Sequence, residues 1–158
     1  MGVTPAHVGS PDPNQPVRVL GWGLTQSPQP PLDALLPPSL AEQLPAPPEL
    51  LAPEPPTMLN GVNLWVVDPS QCPPVRPGIG PAENCLAPER PLTDTCNGDS
   101  GTPGLQSRTV VAIISRGTDA VLRCGVSYTV ATDPGHYSPW IADTIAEQRA
   151  TVTRPGPG

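Results

Sequence analysis

Phenylalanine and lysine are both missing from this 158-residue chain, and aromatic residues make up only 3% of it. A core so poor in large rings needs cross-links to hold a small domain together. No apolar run is long enough to span a membrane, so no membrane partner is expected. The N-terminus lacks the basic and then apolar stretch of a secretory leader. All eight basic residues are arginines, none of them clustered, and the net charge is −6, which excludes a basic stripe for nucleic acid. The acidity favours solubility and says little about partners. No Cys-x-x-Cys and no histidine pair stands at ligand spacing, so neither a metal nor a cofactor is expected.

What the chain does have is proline, 27 residues, with 15 glycines beside it, over a quarter of the whole. That share borders on low complexity, and the length allows one domain at most. Four cysteines (Cys72, Cys85, Cys96 and Cys124) can supply the cross-links, at about 2–4 kcal/mol per bridge, and by spacing alone three connectivities are open. Disulfides point to an oxidising compartment. Because that conflicts with a leaderless N-terminus, a further piece upstream of Met1 is expected.

Met1–Pro16 is polar and broken by prolines, and reads as a surface segment. Val17–Leu20 reads as a short strand. Eleven prolines lie between Ser27 and Thr57. Proline removes amide donors and fixes φ, so residues 27–57 read as a Pro-rich insertion that cannot join a sheet, with at most one helical turn at Ser39–Leu44. A polyproline II ligand is the functional alternative there, but no repeated PxxP with flanking arginine supports it. Val62–Val67, Thr109–Ser115 and Val126–Ala131 are rich in Val, Ile, Tyr and Thr between turn residues, as strands are. Ser138-Pro139-Trp140 offers an N-cap, a proline at the first helical position and an apolar residue. Ile141 and Ile145 repeat four apart, so a helix to about Arg149 is expected, packing Trp140 and Ile141 on the body. Residues 150–158 read as a disordered tail.

The chemistry concentrates in Asp94-Thr95-Cys96-Asn97-Gly98-Asp99-Ser100-Gly101-Thr102-Pro103. A serine between two glycines can be presented on a bent backbone with amide N–H groups beside it. Acyl transfer requires such a nucleophile, with donors aimed at the oxygen that becomes negative. A Gly-x-Ser-x-Gly elbow is excluded, because position 102 is threonine.

This run resembles the active-serine segment of the trypsin/chymotrypsin-like serine proteases. Val17-Arg18-Val19-Leu20-Gly21-Trp22-Gly23 is similar to the strand and Gly-Trp-Gly that open that family's second barrel. Ile113-Ile114-Ser115-Arg116-Gly117 is similar to its Ile-Val-Ser-Trp-Gly strand. The resemblance covers about Val17 to Arg149, the C-terminal half of a protease domain. It implies an all-β fold: the second six-stranded antiparallel barrel with a C-terminal helix, in residues 17–149. It also implies the disulfides Cys72–Cys85 and Cys96–Cys124, secretion, and a protein or peptide substrate.

Residue by residue, the resemblance makes Ser100 the nucleophile and the Gly98 and Ser100 amides the oxyanion hole. Asp94 matches the base of the primary specificity pocket, where an acid implies cleavage after Arg or Lys. The connection after Cys124 is shorter than usual and the one before it longer, so the pocket wall is rebuilt. Ser115 and Gly117 match positions that pair with substrate backbone, and Arg116 replaces the usual aromatic between them. Asp99 matches the carboxylate that receives the ammonium created by activation cleavage. No such N-terminus is evident here, and an unpartnered buried acid costs several kcal/mol, so a collapsed, zymogen-like loop is expected.

The histidine and aspartate of the triad lie, in the family, on the first barrel. His7 in Thr4-Pro5-Ala6-His7-Val8 is too close to Gly-Trp-Gly to be that histidine, and His136 has no assigned role. The expected function is therefore a serine endopeptidase fragment acting through an acyl-enzyme on Ser100, inactive alone, its base supplied by a missing N-terminal barrel. A catalytically inactive peptide-binding module and a Pro-rich interaction protein are the alternatives.

Overall fold

The computed structural model of the chain describes residues 7–25, 56–75, 78–118, 124 and 127–152. In chain order these form β1 (His7–Val8), β2 (Val17–Gly21), β3 (Asn60–Val67), β4 (Glu83–Pro88), β5 (Pro103–Gln106), β6 (Thr109–Gly117), β7 (Thr129–Thr132) and a helix, α1 (Ser138–Val152). Six strands bond antiparallel in the order β6-β5-β2-β3-β4-β7, and β7 returns to β6. The sheet thereby closes into a barrel without a free edge. The six-stranded antiparallel barrel with a C-terminal helix that the resemblance implied is the fold the chain adopts.

Side-chain alternation explains which faces turn inward. In β2, Val17, Val19 and Gly21 are buried while Arg18 between them is exposed. With Leu64, Leu86, Val111, Ala112, Ile114 and Ala131 these valines form an aliphatic core that contains no aromatic ring. Gly104 lets β5 approach closely, since a Cβ there would stand 2.6 Å from a Val17 methyl and 3.0 Å from the Ala112 Cβ. Two bulges bend the barrel, between Gly104 and Leu105 and between Ile114 and Arg116. The second displaces Ser115 from the ladder and re-aims the end of β6.

Several boundaries differ from the sequence reading. β4 and β5 were not anticipated, because Glu-Asn-Cys-Leu-Ala-Pro and Pro-Gly-Leu-Gln carry almost no β-branched residues. Their partners on both sides supply the ladder instead. The strand expected at Val126–Ala131 lies at Thr129–Thr132. The segment ending at Pro16 is tied down: β1 pairs parallel with β6, His7 opposite Thr109. The buried Gln106 side chain accepts from the Asp12 amide (2.8 Å) and donates to the Asp12 and Gln15 carbonyls (2.8 and 2.9 Å).

The first helical bond of α1 runs from the Ile141 amide to the Tyr137 carbonyl, one residue earlier than a Ser138 cap would give. The helix continues to Val152, past the expected end at Arg149. Trp140 does not pack on the barrel; it is 67% exposed. The Pro-rich insertion, apart from Pro56 and Thr57, lies outside the described residues, as do Met1–Ala6 and residues 153–158. Among the described residues no helix is long and apolar enough to cross a membrane.

Candidate active site

Two reverse turns build the segment that carries Ser100. The Asp99 amide donates to the Cys96 carbonyl (3.0 Å) and the Thr102 amide to the Asp99 carbonyl (3.0 Å). Gly98 (φ 97°) and Gly101 (φ 86°) occupy the left-handed backbone region that a Cβ disfavours, so glycine at both positions is a geometric requirement. The loop is stapled to β6 from both sides: the Gly101 amide donates to the Ile114 carbonyl (2.8 Å) and the Ile114 amide to the Thr102 carbonyl (3.0 Å). A third bond, from the Leu24 amide to the Asn97 carbonyl (2.8 Å), ties it to the residues after β2. Ser100 stands exposed at the apex, its hydroxyl donating to the carbonyl of the bulged Ser115 at 3.2 Å. Among the described residues neither the Gly98 nor the Ser100 amide donates a hydrogen bond.

Asp99 turns away from Ser100, across the end of β2. One of its carboxylate oxygens accepts from the Gly23 amide (2.9 Å) and the other from the Cys96 amide (3.0 Å). A Cβ on Gly21 or Gly23 would overlap this carboxylate, which explains both glycines of Gly-Trp-Gly. Two backbone donors thus occupy the Asp99 carboxylate, for which the resemblance offered no ammonium partner in this chain.

Ser100 opens onto a cavity of about 250 Å³ whose walls include Thr95, Gly98, Ser115, Gly117, Cys124 and Ser127. Gly117 leaves room for the Ser127 hydroxyl, which would stand 3.0 Å from a Cβ at that position. Asp94 is not among the residues lining this cavity. It lines a second space of about 210 Å³ together with Asp99, Gly21, Gly23 and Leu92. One Asp94 oxygen accepts from the Thr95 amide (2.7 Å) and the Thr129 hydroxyl (2.5 Å), the other from the Ser127 hydroxyl (3.2 Å). Burial pushes the Asp94 carboxyl above its ordinary range, with a smaller push from the nearby Asp99 charge, against the pull of those three donors.

Arg116 also lines the Ser100 cavity, and its guanidinium grips Glu83 through two bonds (2.5 and 2.9 Å) and the Gly78 carbonyl through a third (3.2 Å). Hydrogen bonding to Arg116 holds the Glu83 carboxyl down at about 2. The bidentate pair joins β6 to the start of β4 at the cavity lip. Sequence reading singled out Arg116 without its partner, since nothing in the local pattern marks Glu83, 33 residues away. Thr129 and Ser127 were missed for the same reason.

Cys72 bonds Cys85 and Cys96 bonds Cys124, the pairings the resemblance implied. The second bridge links the Ser100 loop to the opposite cavity wall. Neither histidine lines the Ser100 cavity. His7 faces Thr109, five residues from the Ile114 staple and so about 17 Å away along β6. His136 stacks edge-on with Tyr137 in the turn before α1. Among the described residues no three His, Cys, Asp or Glu side chains gather as a metal site, and none of the cysteines is free.

Comparison with known proteins adds an independent finding. The Trypsin family model matches residues 48–141, more than half of the chain. No curated protein matches it in sequence. Among solved structures, neuropsin, a serine protease expressed in the limbic system of mouse brain, is 25% identical with a TM-score of 0.65, over 90% of this chain and 54% of that one. HBP is 19% identical with a TM-score of 0.58, over 98% of this chain and 51% of that one, a likeness of fold alone. The chain spans about half the length of the structures it matches.

Proposed function

Since the chain belongs to the trypsin family of serine proteases, we propose that it carries the nucleophile half of a peptide-bond hydrolase, with the base contributed by a complementary barrel elsewhere in the same protein or on another chain. The observation that carries this reading is the exposed Ser100 hydroxyl beside two unengaged amides at the mouth of a cavity.

In this mechanism Ser100 Oγ attacks the scissile carbonyl carbon while its proton passes to a histidine of the complementary barrel. The carbonyl oxygen becomes negative and takes the Gly98 and Ser100 N–H groups, each worth about 3 kcal/mol in comparable sites. The C–N bond then breaks, the amine leaving with the proton from the imidazolium, and an ester forms on Ser100. Water, deprotonated by the same histidine, attacks that ester; the acid departs and the proton returns to Ser100. Ser115 and Gly117, on the end of β6, pair with substrate backbone. By resemblance alone Asp94 would bring an Arg or Lys preference, but its carboxylate lines a different space from the Ser100 cavity. Two disulfides favour an extracellular setting.

Without its base such a site loses on the order of a million-fold in rate. The test is co-expression with a cognate first barrel followed by fluorophosphonate labelling. Label on Ser100, abolished by Ser100→Ala, is expected; a folded pair that takes no label refutes the reading. The absence of both histidines from the lining of the Ser100 cavity favours a second reading, a module that binds peptides without cutting them. Peptide affinity persisting in a reconstituted, unlabelled pair is its signature.

A further inference from the structure

We propose that the Ser100 cavity receives an uncharged side chain of short or moderate length, because Ser127 and Thr129 sequester Asp94 from it and Ser127 becomes the group an occupant meets. This rests on the reading of the cavity as the substrate-side pocket of the Ser100 site.

The argument begins with the acceptor capacity of a carboxylate, about two hydrogen bonds per oxygen. One Asp94 oxygen already takes the Thr95 amide and the Thr129 hydroxyl, which fills it. The other takes the Ser127 hydroxyl. A guanidinium binds a carboxylate strongly through two parallel N–H bonds, one to each oxygen. Here only one oxygen has capacity left, so the fork has no place to dock. An ammonium could claim the remaining position only by displacing Ser127.

Ser127 is poorly placed to move aside. Its hydroxyl stands over Gly117, where even a lone Cβ would meet it at 3.0 Å, and it is buried to all but 8% of its surface. Thr129 is fully buried, opens β7 opposite Gly117, and shares a second bond with the Thr95 hydroxyl at 2.7 Å. Ser127, which lines the Ser100 cavity, therefore stands between that cavity and Asp94, while Thr129 holds the other Asp94 oxygen from behind. Cys124 borders both that cavity and the space Asp94 shares with Asp99.

The cavity walls add Gly98 and Gly117, Thr95, Ile114 and the Ser115 hydroxyl position, and the one charged group among the described lining residues, Arg116, is already paired with Glu83. Such walls suit an alkyl or hydroxyl-bearing side chain, or a neutral amide that exchanges hydrogen bonds with Ser127. Thr129 acts through Asp94 and is a positioning residue; Ser127 touches the occupant and determines specificity directly.

The experiment uses benzamidine, a planar cation, and benzamide, its neutral counterpart, neither of which requires a reactive serine. Binding to the chain is followed by amide NMR shifts at Gly117 and Ser127. The wild type is expected to bind benzamide at least as tightly as benzamidine. Thr129→Gly, and separately Ser127→Gly, should swing the ratio toward benzamidine by tenfold or more, and adding Asp94→Asn should cancel the swing. A loss of fold would weaken both probes without inverting their order, and either variant alone can supply the inversion. Wild-type preference for benzamidine by tenfold, removed by Asp94→Asn, overturns the proposal. So does the absence of binding by both probes. Failure of Ser100 labelling with the neutral preference intact would count against the hydrolase reading alone.

Discussion

Replacing Gly23 by alanine tests the idea that the Ser100 loop is held from behind rather than from its own turn. A Cβ at Gly23 would fall on the Asp99 carboxylate, the group that accepts from the Gly23 and Cys96 amides. The carboxylate must swing away, and both bonds go with it. Hydrogen bonds to a charged group are worth about 1.5–3 kcal/mol each, and Asp99 is half-buried, so the loss should be about 2–4 kcal/mol. For a domain of this size that lowers Tm by about 10 °C or more.

The decisive assay is a double-mutant cycle in urea with Asp99→Ala. Once the carboxylate is gone, alanine at Gly23 overlaps nothing on Asp99, and its cost should fall below about 1 kcal/mol, leaving a coupling of about 2 kcal/mol. Gly78→Ala is the control, because no atom lies within 4 Å of a Cβ there. If Gly23→Ala costs no more than Gly78→Ala, or if its cost is unchanged in the Asp99→Ala background, the account of the Gly-Trp-Gly glycines is wrong.

Other perturbations read other parts of the barrel. Gln106→Ala strips the bonds that pin residues 12–15 and should cost about 2–3 kcal/mol, with faster hydrogen exchange at the Asp12 amide. Glu83 titrates below its unfolded value, so its contribution is complete above pH ~4.5 and disappears as pH falls toward 2; Glu83→Gln should flatten the acid limb of a urea-midpoint profile. Asp94 titrates above its unfolded value, so its contribution is present below pH ~3.8 and is lost as pH rises through the folded-state value. Asp94→Asn should accordingly remove the decline in stability that runs from pH ~3.8 up through the folded-state value. Replacing the Cys96–Cys124 pair by alanines releases a 28-residue separation and should cost about 3–4 kcal/mol in urea denaturation.

The parts of this molecule legible in its sequence were those written in contiguous residues. Gly98, Ser100 and Gly101 announce a bent backbone with an exposed hydroxyl, and β3 and β6 announce themselves by Val, Ile and Leu. The disulfide pairing became readable only through the resemblance, spacing alone leaving three choices. β4 and β5 were invisible because a closed barrel imposes strand geometry on any segment whose two neighbours present their ladders. Trp140 misled because apolar spacing on a helix signals a face, whereas burial needs a surface for that face to meet. The occupancy of Asp94 was hidden most deeply: its partners Ser127 and Thr129 follow it by 33 and 35 residues, and only closure of β7 on β6 brings them together.

That contrast bears on how much chemistry one barrel can hold by itself. Among the described residues, the bonds that fix the Ser100 loop come from Ile114 of β6, Leu24 and Gly23 after β2, and the Cys124 bridge. Under the proposed mechanism these bonds can set the Ser100 hydroxyl and the Gly98 and Ser100 amides in place before any base arrives. The base that the proposed mechanism calls for needs to meet only one exposed hydroxyl. Splitting the site in this way makes the two halves energetically separable. Substitutions that disturb Asp99 should lower barrel stability and Ser100 reactivity together, whereas loss of the base should abolish reactivity and leave the urea midpoint of the barrel where it was.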